Sequence, residues 1–98
     1  MINIVNVVIR YDDERRVTAV KLKLKTVGDE SEALTRIMMA FAKTSLASSE
    51  RELSVARDPK RSDIVNFRVS LADNGIGAKS VAEFIDTLQR LIDNTHVL

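Results

Sequence analysis

Few residues of this chain combine a reactive type with a spacing that could support chemistry. His96 is the only histidine among 98 residues and stands third from the last, where a frayed tail is expected rather than a positioned base. The chain has no cysteine, which removes thiolate catalysis, disulfides and Cys/His metal clusters together and points to a reducing compartment. Ser31, Ser45 and Ser80 have no general base at a recognisable spacing. Asn74-Gly75-Ile76-Gly77 precedes a helical pattern and resembles a phosphate cradle only superficially. It lacks the Lys-Ser/Thr pair of a P-loop and the third glycine of a dinucleotide fingerprint. No enzymatic activity, cofactor or metal is therefore expected.

The remaining chemistry is electrostatic. Lys21, Lys23 and Lys25 alternate with Val20, Leu22 and Leu24, a period of two that places three ammonium groups on one side of a strand and the aliphatics on the other. Arg68 occupies the corresponding place in a second such strand, and Arg15, Arg16, Lys60 and Arg61 fall in the turns. Such a basic sheet face could track phosphates, so nucleic-acid binding through these eight residues is one expectation. Against it, the net charge is only +1, the pI is near 8.1, and four aromatic residues, Tyr11, Phe41, Phe67 and Phe84, leave little for base stacking. Lysines that keep a strand soluble and unpaired explain the same row. Residues 1–28 and 50–72 together carry +4, whereas 29–49 and 73–98 carry −1 and −2, so a basic sheet and mildly acidic helices are expected.

The elements holding these residues repeat. Shifted by 47 positions, the chain matches itself without a gap: Val20, Leu22, Leu24, Gly28, Leu34, Ile37 and Phe41 fall on Phe67, Val69, Leu71, Gly75, Val81, Phe84 and Leu88. Each copy reads strand, charged turn, strand, glycine, helix. Hairpins are expected at about Ile2–Val27 and Glu52–Ala72, with turns at Asp12–Arg15 and Asp58–Arg61. Leu34, Ile37, Met38 and Phe41 form one helical stripe, and Val81, Phe84, Ile85, Leu88, Leu91 and Ile92 a longer one. Ser80 with Glu83 matches a capping box, and Asp29 with Glu32 offers a carboxylate version. The first helix should end near Ser48, with Ala42–Ser49 as the linker. The expected fold is α+β: a tandem ββα repeat (1–48 and 49–98) in a single domain, giving a four-stranded, mainly antiparallel sheet with two helices on one face. A ferredoxin-like order would need a further strand after the second helix, and only Thr95–Leu98 remains.

The first strand breaks the pattern. In the second copy Leu53 and Val55 share the inward parity, and carrying that parity back 47 residues buries Asn6 and Val8 while turning Val5, Val7 and Ile9 outward. A row of branched apolar side chains on an open face is an aggregation hazard unless something covers it. Burial of Val5, Val7 and Ile9 against a second copy or another protein, by sheet stacking or strand addition, is the leading expectation. The alternative is a bulge that turns the same three residues inward, or cover from Val97 and Leu98. The first nine residues lack a basic leader and a small-residue cleavage site, and no apolar run is long enough to span a bilayer, so a cytoplasmic location without membrane association is expected. The chain thus reads as a small interaction module, with a second copy or another protein as the expected partner. Nucleic-acid binding is the alternative, and inhibition or adaptation of a larger complex is a third.

Overall fold

A computed structural model describes residues 2–28, 30–71 and 77–94. The element order is β1 (Ile2–Tyr11), β2 (Val17–Thr26), α1 (Glu30–Ala42), α2 (Leu46–Ser49), β3 (Glu50–Arg57), β4 (Ile64–Leu71) and α3 (Ala78–Asn94). The four strands form one antiparallel sheet in the order β1-β2-β4-β3, so the two hairpins meet along their second strands. The fold is α+β, with three helices among the described residues. α1 ends at Ala42 and not near Ser48 as expected, and the expected linker contributes a separate single turn, α2, whose Leu46 is fully buried.

Binary patterning accounts for the sheet. Val20, Leu22 and Leu24 of β2 and Val65, Phe67, Val69 and Leu71 of β4 are buried, while Lys23, Lys25 and Arg68 are exposed on the opposite face. The inward set joins Ala33, Ile37, Ala40 and Phe41 of α1, Leu46 of α2, and Val81, Phe84, Leu88 and Ile92 of α3 in one hydrophobic cluster. At its centre the rings of Phe41, Phe67 and Phe84 meet at centroid distances of 5.3–6.4 Å, two of the three contacts edge-on. All three phenylalanines are therefore committed to the core.

Each hairpin turn is closed by an aspartate. Asp12 Oδ1 accepts from the backbone N–H groups of Glu14 and Arg16, both at 2.9 Å, and Arg15 adopts the left-handed conformation at φ 63°. Asp58 Oδ1 accepts from the N–H groups of Lys60 at 2.8 Å and Arg61 at 3.2 Å, and its Oδ2 accepts from Asn66 Nδ2 at 3.0 Å. Gly28, between β2 and α1, sits at φ +76°, where a side chain would be strained. Asp29, Ala72, Asn74, Gly75, Ile76, His96, Val97 and Leu98, all singled out above, lie outside the described residues.

Two helical expectations shift. Met38, placed in the core by its spacing, is 41% exposed. The buried side of α1 is instead Ala33, Ile37, Ala40 and Phe41, rotated so that two alanines allow close packing while Leu34 lies at the margin. Ser80 is inside the first turn of α3 rather than ahead of it, its N–H donating to the Gly77 carbonyl at 3.2 Å.

Candidate protein interface

The strand order leaves β1 and β3 at the two edges of the sheet. Among the described residues β1 pairs with β2 alone, so one side of a ten-residue strand has no ladder partner. Its side chains sharpen the point. Val5 is 50% exposed, Val7 36%, Val8 42% and Tyr11 53%, and Arg10 is the only ionisable group besides Tyr11.

The register explains which valines are where. Ile4 lies opposite Leu24 and Asn6 opposite Lys23, so Val5 is an extra residue, a β-bulge that flips the alternation. Before it Ile2 and Ile4 face the core. Beyond it Val7 opposes the buried Leu22, and Ile9 opposes the buried Val20. Leu53 and Val55 of β3 pair with Val69 and Phe67 on the inward side, whereas Asn6 and Val8, 47 positions earlier, pair outward with Lys23 and Lys21.

The expectation that Val5, Val7 and Ile9 form one outward row is thus corrected. Ile9 packs against the core, Val7 lies on the core side but at the uncovered margin of the sheet, and Val5 projects at the bulge. Val8, expected to be buried with Asn6, is instead exposed on the outer side opposite Lys21, and with Tyr11 it completes the exposed apolar margin. A signal for them exists. Ile2 and Ile4 are even-numbered while Val7 and Ile9 are odd, and Asn3 and Asn6 stand three apart, a change of parity that requires a bulge between them.

The basic residues divide into two groups. Lys21 opposes Arg68 directly, Lys23 opposes Asn66 and Lys25 opposes Ile64, so these four share the outer face. Arg15, Arg16, Lys60 and Arg61 do not extend that row. Because β2 and β4 run antiparallel, the two turns lie at opposite ends of the sheet. Arg16 pairs with Asp12 at 3.0 Å and Glu14 at 3.1 Å, and Arg61 with Asp63 at 2.8 Å. The turn carboxylates are tuned accordingly. The Arg16 backbone N–H holds Asp12 below the usual carboxylate range, the Asn66 amide does the same for Asp58, and the Arg61 guanidinium for Asp63.

An open concavity of ≈ 830 Å³ beside α1 is lined by residues including Thr26, Glu30, Ser31, Glu32, Arg57 and Asp63, and the Arg57 guanidinium bridges to Glu30 within it. Among the described residues no three His, Cys, Asp or Glu side chains gather as a metal ligand set, and no helix is long and apolar enough to cross a membrane. Compared with known protein families, curated proteins and solved structures, the chain matches none.

Proposed function

We propose that this chain is a small, non-enzymatic protein–protein interaction module that self-associates by antiparallel pairing of β1 with β1 of a second copy. The observation that carries the proposal is the edge itself: a ten-residue strand with one side unpaired among the described residues, with Val5, Val7, Val8 and Tyr11 exposed and Arg10 as the sole side chain charged at neutral pH. A two-fold axis normal to the sheet would make one continuous eight-stranded sheet from two four-stranded ones, an isologous contact that satisfies both edges at once. A pairing centred on Val7 sets valine against valine on the core side, and one centred on Val8 does so on the outer side. Stacking of two outer faces is disfavoured, because it would bring Lys21, Lys23, Lys25 and Arg68 of each copy together.

The same proposal takes the chain as a duplicated ββα unit with its two long helices on one side of the sheet. Lys21 and Arg68 are 47 residues apart and pair with each other, and Val20 opposite Val69 is the counterpart of Phe67 opposite Leu22. That self-consistency is what a two-fold axis between β2 and β4 requires. A reducing cytoplasm suits a chain without cysteine.

Light scattering on a sizing column tests self-association. The wild type should elute at twice the 10.9 kDa chain mass, and Val7→Asp and Val5→Lys at the mass of one chain. A wild type that stays monomeric at high concentration would refute the proposal.

A further inference from the structure

The outer face of the sheet holds a second surface, independent of the β1 edge. Arg10, Lys21, Lys23, Lys25 and Arg68 all lie on it, and its acidic members among the described residues are Glu52, opposite Ser70, with Asp58 and Asp63 approaching Lys23 and Lys25 from the hairpin end. In the middle, Lys21 faces Arg68 across the β2–β4 pair. Like charges directly opposite each other destabilise a sheet. Neither forms an ion pair among the described residues, in contrast to Arg16 and Arg61 at the turns. Beside Arg68 a shallow pocket of ≈ 200 Å³ is lined by Ser54 and Ser70, with Glu52 at its β3 side. A repulsive pair at the centre of an otherwise well-patterned sheet is a local conflict of the kind that functional sites carry.

We propose that this face binds the phosphate backbone of a single-stranded nucleic acid without reading its bases. Lys21, Lys23 and Lys25 recur every ~6.8 Å along one strand, close to the separation of successive phosphates in an extended single strand. The Arg68 guanidinium offers a contact to one more phosphate, on the side of the shallow pocket away from the Glu52 carboxylate that also lines it. No aromatic platform accompanies them. Phe41, Phe67 and Phe84 are in the core, and Tyr11 lies at the far end of β1 opposite Val17. The contact is therefore electrostatic, steeply salt-dependent and indifferent to sequence.

Fluorescence anisotropy with labelled oligodeoxythymidine tests the assignment. About four phosphate contacts predict roughly 50-fold weaker binding for a fourfold rise in salt. Lys21→Gln with Arg68→Gln should weaken binding roughly 10-fold and reduce the log–log salt slope by about 1.4, while the melting temperature holds or rises because the repulsion is gone. Arg16→Gln with Arg61→Gln, whose charges are already paired, should change affinity less than about twofold. The exchange Lys21→Arg with Arg68→Lys preserves both charges and should retain binding, which separates lost charge from altered packing. No binding at low salt, an unaffected double Gln variant, or equal binding to a duplex or to polyglutamate would each overturn the proposal.

Discussion

The two edges of the sheet solve the same problem in opposite ways. β3, Glu50–Arg57, places Glu50, Arg51, Glu52 and Arg57 among its eight residues, a density of charge that resists pairing with another strand. β1, Ile2–Tyr11, is longer, holds one cation, and exposes four large apolar side chains. Each edge has an irregularity near its start, at Val5 in β1 and at Arg51 in β3. A bulge alone therefore does not protect an edge. The residues on it decide, and of the two edges only β3 carries the charge that makes a strand unattractive to a neighbour.

The largest effect should come from making β1 resemble β3. Val7→Asp is expected to weaken self-association at least ~100-fold, about 3 kcal/mol, since the charge enters a two-fold interface twice. Ser54→Asp on β3 should leave it unchanged, and sedimentation equilibrium distinguishes the two. The converse substitution, Glu52→Val with Arg57→Val, should supply a second adhesive edge and convert discrete dimers into open-ended oligomers whose mass rises with concentration in light scattering. Dimers of unchanged size would show that charge density is not what protects β3.

A smaller effect is expected at the bulge. Deleting Val5 preserves every observed pairing from Asn6 to Ile9, restores regular alternation and straightens the edge, so the melting temperature should hold and self-association should strengthen by a few-fold. Deleting Val8 instead turns Ile9 away from Val20 and should lower the melting temperature sharply. Equal behaviour of the two deletions would refute the register described here.

Acid should separate the hairpins least. Asp12 in the β1 hairpin, and Asp58 and Asp63 in the β3 hairpin, titrate below the ordinary value of 3.8 when folded. Their stabilisation is complete above that value and is lost as pH falls through the lower folded values. With two such carboxylates against one, the β3 hairpin should lose more of its stabilisation as pH falls. Amide signals of Lys60 and Arg61 should broaden more than those of Glu14 and Arg16 as pH drops below 3.8. Equal or weaker broadening there would mean that the Asp63 contact adds nothing to its turn.

Much of this architecture was legible before any coordinates. The alternation of Val20, Leu22 and Leu24 with lysines placed β2 and its outward charges, and the stripe from Val81 to Ile92 placed α3, because side-chain period is a local property of the backbone. Both turns were readable from Asp12 and Asp58, whose carboxylates bond their own following N–H groups. The candidate interface was only half legible. Copying the parity of Leu53 and Val55 back by 47 residues assumed that corresponding strands share a register, and a single inserted residue at Val5 undoes that assumption for everything after it.

Local patterning was thus enough for the strands, the turns, α3 and the direction of the lysines, since each depends on neighbours within a few positions, but it ran the first helix past its end at Ala42. Tertiary structure decided the order β1-β2-β4-β3, the meeting of Lys21 with Arg68, the exposure of Met38, and which valines reach the margin of the sheet. These depend on how distant segments compete for the same apolar volume and the same ladder positions, a competition settled only when the whole chain packs at once.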